Sequence, residues 1–598
     1  MRDERRPAVS PAPPVHGGPV GRGPVPPESA EEMTRPIPNP VRPSTETTAP
    51  IEPVVDAGPS GASGGEQAGS LVRSSSLIAI ASLVSRLTGF LRNLAIVAVL
   101  GLAVVNDSYT VSNTLPNIVY ELLLGGVLTS VMIPVLVRAQ QDDTDGGEAF
   151  TRRLLTVVGA GLLVATLIAM VAAPLLTRLY LGSGDSGQAD PALATAFAWL
   201  LLPQIFFYGM GALLGAVLNS KQVFGPFAWA PVLNNVVMLL VLGVYVLVPG
   251  EISTDPVRMG DPKLLVLGLG TTIGIVVQAV VLLPSMRRIG FRYRPLWGWD
   301  PRLSTAGGMA LWIVGYVLAG QAGYIVTTRV AAGADAGSVS TYSNAWLLLQ
   351  VPYGVIGVSL LTALMPRMSR AAAQGDTNQV VTDLSLGARL STVGLLPIAA
   401  LLTVFGTELG VALFSLGAGS GSGASRLGAT VAASAFGLLA YAVTMLQLRV
   451  FYAMTDSRTP TLIQVGMIVV KIPLLLLCPV LLEPEQVVLG LAAANGLSFV
   501  VGVLIGQWLL YQRLGHIRTR EVVVTLGKTL VASVVGAAAA WGVGRGLDAA
   551  WLADWPAVGR AWTLLVIGTL VALPVTLLGM RVLRVNELDA VFRRFSRR

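Results

Sequence analysis

The sequence predicts an all-α, polytopic integral membrane protein of about 14 transmembrane helices, arranged as two six-helix lobes and a C-terminal pair. Three observations carry that reading. Of 598 residues, 53% are hydrophobic and 12% charged, where soluble domains carry about 25% charge; the mean hydropathy is +0.68. Apolar stretches of the roughly 20 residues that a bilayer demands recur from Leu71 to about residue 584. Basic residues gather in alternate connecting segments: Arg138, Arg152, Arg153, Arg287, Arg288, Arg292, Arg294, Arg302 and the terminal Arg593, Arg594, Arg597 and Arg598 on one side. The opposite side has Arg178, Arg258, Lys263, Arg426, Arg545 and Arg560. Positive charge marks the cytoplasmic side, so both termini are expected on the cytoplasmic side of the membrane.

Residues 1–70 hold 15 of the 37 prolines and no apolar run. Such a segment cannot bury enough surface to offset its ordering entropy, so a disordered cytoplasmic tail is expected. Charge clusters and Pro/Gly turns then divide the chain into spans near 75–101, 105–137, 153–180, 192–219, 226–248, 263–286, 304–332, 338–366, 384–416, 427–454, 460–482, 486–512, 522–545 and 559–583. The resulting organisation is an N-lobe over 71–290, a C-lobe over 291–515, and a final pair with a basic cytoplasmic terminus over 516–598. A shift of 232 residues places Gly101 on Gly333, Ser108 on Ser340, Gly125 on Gly357, Pro134 on Pro366 and Arg138 on Arg370. Six helices is an even number, so the lobes would be parallel repeats with a site at their interface.

Composition excludes several classes. The single cysteine, Cys478, and two distant histidines, His16 and His516, leave little for a metal centre or a catalytic triad. No metal and no cofactor are expected. The connecting loops are too short for an external catalytic domain. Gly527-Lys528-Thr529 lacks the upstream glycine of a phosphate loop, and Gly268 and Gly270 lie within an apolar span. The +8 charge belongs to the inner loops, so no nucleic acid partner is expected.

Ionisable groups at membrane depth are costly and therefore informative. They are Arg86 and Arg92 in the first span, Asp107 and Glu121 in the second, Arg329 in the seventh and Lys471 in the eleventh. Asn113, Asn117 and Glu121, four residues apart, form one polar stripe. The structural alternative is that Arg92 and Asp107 snorkel at helix ends or pair with one another. The cationic surplus suits an anionic ligand, and guanidinium matches phosphate geometry. Arg86, Arg92, Arg329, Asn113 and Asn117 are the expected binding groups; Asp107, Glu121 and Lys471 are the expected gating or charge-pairing groups.

Ser85-Arg86-Leu87-Thr88-Gly89-Phe90-Leu91-Arg92, then Asp107, Leu115-Pro116-Asn117, Gly125-Gly126 and Ile133-Pro134, resemble the MurJ (MviN) family of lipid II flippases. Asn219, Phe224-Gly225-Pro226, Asn234-Asn235, Phe451-Tyr452 and Asp456-Ser457-Arg458-Thr459-Pro460 support the resemblance by order and spacing. It covers about residues 72–590 and implies alternating access around a cationic cavity, with the final helix pair bordering a groove for a lipid tail. It implies lipid II as substrate, and Arg86, Arg92 and Asp107 as family site residues. Relatives often carry arginines where this chain has Tyr120 and Leu347; Arg329 is expected to supply the missing C-lobe charge. Some relatives bind sodium in the C-lobe, and the Lys471 ammonium is expected to stand in for it. The alternatives are a flippase for another polyprenyl-diphosphate-linked glycan, a cation-coupled drug exporter, a membrane enzyme, or a scaffold of the cell-wall assembly machinery. Membrane lipids are expected partners, and the tail would dock cell-wall synthesis or division proteins.

Overall fold

In the computed structural model the described residues are 63–122, 132–182, 189–254, 256–302, 307–419 and 421–588; the side chains of 63–79, 119–122, 134 and 307–310 lie outside that description. The expected tail, up to residue 62, also lies outside it. The first helix begins at Ser63 rather than near residue 75.

The N-lobe comprises α1 (Ser63–Leu100), α2 (Val104–Leu122), α3 (Ile133–Asp142), α4 (Glu148–Val171), α5 (Ala173–Leu181), α6 (Pro191–Leu201), α7 (Gln204–Ser220), α8 (Gly225–Leu247), α9 (Pro262–Val280) and α10 (Leu283–Arg288). The C-lobe comprises α11 (Gly307–Ala334), α12 (Ser338–Ala373), α13 (Thr377–Phe414), α14 (Gly421–Ser434), α15 (Gly437–Ala453), α16 (Arg458–Leu481) and α17 (Pro484–Leu514). The final pair is α18 (Thr519–Leu547) and α19 (Ala557–Val582). Among the described residues, twelve helical runs are long and apolar enough to cross a membrane, and α14 with α15, bent by 55°, brings the number to 13. The span expected over 105–137 is represented by α2 and α3, on either side of residues outside the description.

Local chemistry sets the ends. Asp190, Asp261 and Asp376 cap α6, α9 and α13 by accepting backbone N–H groups, which satisfies donors that a helix start leaves open. Proline at the first helical position of α6, α9 and α17 (Pro191, Pro262, Pro484) needs no such partner. The expected span 153–180 breaks at Ala172, one residue before α5 with its Pro174. A second break lies in α13 at Phe405, where φ is −111° and ψ is 18°. Large apolar side chains cover the outside, Val171 at 85% exposure and Leu247 at 83% among them, as lipid-facing surfaces require.

"Inner" here denotes the end with the arginine-rich loops. In the inner half each lobe has its own apolar core: Leu136, Leu154, Leu213 and Met286 in the N-lobe, Met368, Leu384, Leu446 and Leu510 in the C-lobe. In the outer half one core takes residues from both, Val111, Leu115, Tyr180 and Leu202 packing with Ala331, Tyr342, Leu475 and Leu491. Among the described residues the lobes therefore share an apolar core on the outer side and keep separate cores in the inner half. The final pair packs against α13 through Phe405, Ala540 and Ala572.

Candidate functional site

Between the lobes lies a cavity of about 570 Å³. Its N-lobe wall is α1, α2, α7, α8 and α9; its C-lobe wall is α11, α12, α16 and α17. The lining is rich in amides: Asn93, Asn106, Asn113, Asn117 and Asn234 face Gln321, Asn344, Gln350, Gln464 and Asn495. Arg92 and Lys471 are its charged members, and no carboxylate appears in the described lining. Amides offer both donors and acceptors, so the hollow suits a polar, polyvalent guest carrying negative charge.

Each wall residue has a sequence reason for its place. Arg92, Asn93 and Ile96 share one face of α1. On α2 the stripe extends beyond the expected pair, running through Asn106, Thr110, Asn113, Thr114 and Asn117. It is braced internally: Asn106 Nδ2 donates to the Gly101 carbonyl at 2.6 Å and Asn117 Nδ2 to the Asn113 carbonyl at 2.8 Å. The Glu121 side chain lies outside the described residues. Arg92 keeps a buried Nε without a hydrogen-bond partner. Lys471, 7% exposed, donates from Nζ to Asn495 Oδ1 at 2.8 Å, using one of its three donors.

Asp107, expected to pair with an arginine in one state and release it in another, is held here by the main chain. It is 1% exposed and pairs with no arginine. Its carboxylate accepts the backbone N–H groups of Gly337 (2.9 Å), Val339 (3.4 Å) and Ser340 (2.8 Å) at the start of α12. The positive end of a helix dipole replaces the guanidinium. The contact joins the lobes on the outer side. Beside it, Ala418 N–H donates to the Ala98 carbonyl at 2.7 Å. Gly101, Gly337 and Gly417, with φ of +70°, +80° and +62°, complete the seam; a Cβ on Gly337 or Gly417 would strike the carbonyls of Leu102 or Ala98.

Arg329 also differs. Its side chain is exposed and absent from the cavity wall. It follows Tyr324, a wall residue, by five positions, about 140° around the helix at 3.6 residues per turn. Leu347 does line the wall, and in the described lining the C-lobe cation is Lys471.

Arg86 sits two turns inward of Asn93, about 10 Å along the same face of α1. Its guanidinium lies against Gly354 of α12, leaving no room there for a Cβ. Tyr353 lies within electrostatic reach of both Arg86 and Arg449. Arg449, on α15, is a residue that sequence reasoning missed, although it falls inside the expected span 427–454. Asn235 anchors this part of α1, donating from Nδ2 to the Ser85 carbonyl at 3.1 Å and to Thr88 Oγ1 at 3.0 Å.

The fold and the cavity define a two-lobed, multi-pass membrane transporter with a basic, amide-rich hollow closed on its outer side. The chain belongs to the lipid II flippase MurJ family, whose sequence model matches residues 96–554. The probable lipid II flippase MurJ of Vibrio cholerae is 25% identical over 532 residues, 87% of this chain and 98% of that protein. Lipid II flippase MurJ of Burkholderia cenocepacia is 27% identical over 398 residues, 65% of this chain and 74% of that protein. Among solved structures, lipid II flippase MurJ in an inward closed conformation shares the fold with a TM-score of 0.66 at 17% identity, covering 85% of this chain and 99% of that one. An inward-facing MATE family multidrug transporter of the MOP superfamily aligns at 0.58 with 14% identity over 72% of this chain and 95% of that one. This is a multi-pass bacterial membrane protein with the fold of a transporter.

Proposed function

We propose that this chain moves lipid II from the inner to the outer leaflet of the bacterial cytoplasmic membrane, with both termini in the cytoplasm, and that it makes or breaks no covalent bond. The observation that carries the reading is the hollow itself: Arg92 with a buried, unpartnered Nε, Lys471 opposite, and no carboxylate in the described lining. Arg86 and Arg449 form a cationic approach from the inner side. Arg92 and Lys471 take the diphosphate, and Asn113, Asn117 and the facing amides take the sugar–peptide. The polyprenyl chain stays in hydrocarbon beside the lobes, so only the head crosses about 30 Å.

Asp107 acts as the outer latch. Its bonds exist only while the outer side is closed, which makes them a differential contact that biases a two-state equilibrium. Outward movement of two negative charges is favoured by roughly 4–5 kcal/mol per 100 mV, inside negative, so nucleotide hydrolysis is not required. The segment 1–70 serves as a docking site for cell-wall synthesis or division proteins.

The test is flipping of lipid II by the full chain in vesicles. Arg92→Ala removes a charge-assisted bond worth about 1.5–3 kcal/mol, so flipping falls at least tenfold while insertion is retained. Collapse of the membrane potential slows the wild type. Equal flipping by Arg92→Ala and wild type would sink the assignment of the hollow.

A further inference from the structure

A second charged cleft, of about 480 Å³, opens at the inner end of the final pair, remote from the central cavity and walled by α13, the first turns of α18 and the segment after α19. Its charged groups are Arg389, Arg520, Lys528, Arg584, Glu521 and Glu587. Both acids are engaged by Arg389, Glu587 at 2.7 Å and Glu521 at 3.6 Å. Among the described residues no carboxylate pairs with Arg520, Lys528 or Arg584. Lys528 Nζ donates to the Arg584 carbonyl at 3.1 Å, which ties two of these cations together and leaves further ammonium donors for a guest.

Arg584 is placed there at a cost. It has φ of +53° and follows the C-cap Leu583 of α19. Val585 N–H reaches the Met580 carbonyl at 3.0 Å and Arg584 N–H reaches Arg581 at 3.1 Å, the Schellman pattern whose left-handed position normally takes glycine. Among the described residues four other helices end on their inner side in the same way, two with glycine in that position, Gly290 after α10 and Gly375 after α12, and two without, Gln222 after α7 and Thr455 after α15. A residue with a Cβ in this conformation is disfavoured by roughly 1–2 kcal/mol. Above the cations the wall turns apolar and faces lipid: Val524 is 47% exposed, and Val582, beside the cleft at the end of α19, is 72% exposed.

We propose that this cleft binds a phosphate-bearing anion, the headgroup of an anionic phospholipid of the inner leaflet, with its acyl chains along the apolar wall. Basic pockets between helices on the cytoplasmic side have the chemistry for such headgroups. The proposal does not depend on the flippase reading, because the cleft is separate from the hollow and its test involves no transport.

The experiment is native mass spectrometry of the full chain in detergent, titrated with phosphatidylglycerol, phosphatidylcholine or inorganic phosphate. Wild type retains phosphatidylglycerol in preference to phosphatidylcholine. Arg584→Gly lowers that retention about fivefold, the scale of one basic side chain at an anionic surface. Its melting temperature stays level or rises, since glycine accepts the left-handed conformation freely. The exposed-side double variant Arg520→Gln/Lys528→Gln gives the same loss and keeps the test if Arg584→Gly fails to fold. Arg287→Gln/Arg288→Gln, which removes the same charge from the N-lobe, leaves retention unchanged. Undiminished phosphatidylglycerol in both cleft variants, equal retention of phosphatidylcholine, or equal loss in the N-lobe control overturns the site. Phosphate that binds and is lost in the cleft variants, without phosphatidylglycerol retention, overturns the lipid source and assigns the cleft to a free anion.

Discussion

Replacing Asp107 should unlatch the outer side. The carboxylate serves three N–H groups at the start of α12, and Ser338 and Ser340 are fully buried there. Alanine leaves those donors without their acceptor, which costs about 1–3 kcal/mol. It also removes a negative charge from a helix N-terminus, worth about 0.3–1 kcal/mol at the surface and more when buried. The sum, about 2–4 kcal/mol, multiplies the outward-open to outward-closed ratio by roughly 30 to 1000. Asparagine keeps one acceptor oxygen and loses the charge, so its effect should be smaller, about 1–2 kcal/mol. Spin labels at Glu251 and Gly421, on the outer rims of the two lobes, read the change as a distance distribution in lipid vesicles. Asp107→Ala should move population to longer distances, Asp107→Asn should fall between it and wild type, and both should slow flipping by trapping one state. Identical distributions for all three proteins would refute the latch, whatever happened to transport.

The remaining expectations concern the walls. Lys471→Met removes one of two cations from the hollow and strands Asn495 Oδ1; lipid II flipping should fall at least tenfold, the scale of a charge-assisted bond, with melting temperature nearly level. Arg329→Ala, outside the hollow, should flip within about twofold of wild type; a large loss would show that its side chain enters the site in another state. Gly354→Ala pushes the Arg86 guanidinium off α12 and should weaken binding of lipid II to the detergent-solubilised protein. A variant that binds normally would remove Arg86 from the approach.

Much of the architecture was legible because lipid imposes a simple grammar. Apolar length and the side preference of arginine locate spans without knowledge of packing. The site was legible only in part. Asn113 and Asn117 lie on one helix, so their spacing alone places them on one face. Arg329 and Lys471 lie on different helices, α11 and α16, and which of them enters the hollow depends on how each helix is rotated against its neighbours. Hydropathy carries little of that rotation when a helix is apolar all round. Asp107 was legible as an intramembrane acid, but its partners are main-chain amides of residues 230 and more positions away, and no residue type announces those. Arg449 carried the same signal as Arg86 and lacked only a recognised motif around it.

The outer seam has a thermodynamic consequence. Its peptide–peptide contact, Ala418 N–H on the Ala98 carbonyl, can be exchanged for water when the lobes part, so it adds little net free energy to the Asp107 latch. Beyond that latch, the resistance to opening comes from the shared apolar cluster around Leu115, Tyr342 and Leu475. Wetting that cluster carries a positive heat capacity, and apolar cohesion fades as water cools. A chilled membrane should therefore hold more molecules agape toward the outside than a warm one, at an unchanged voltage.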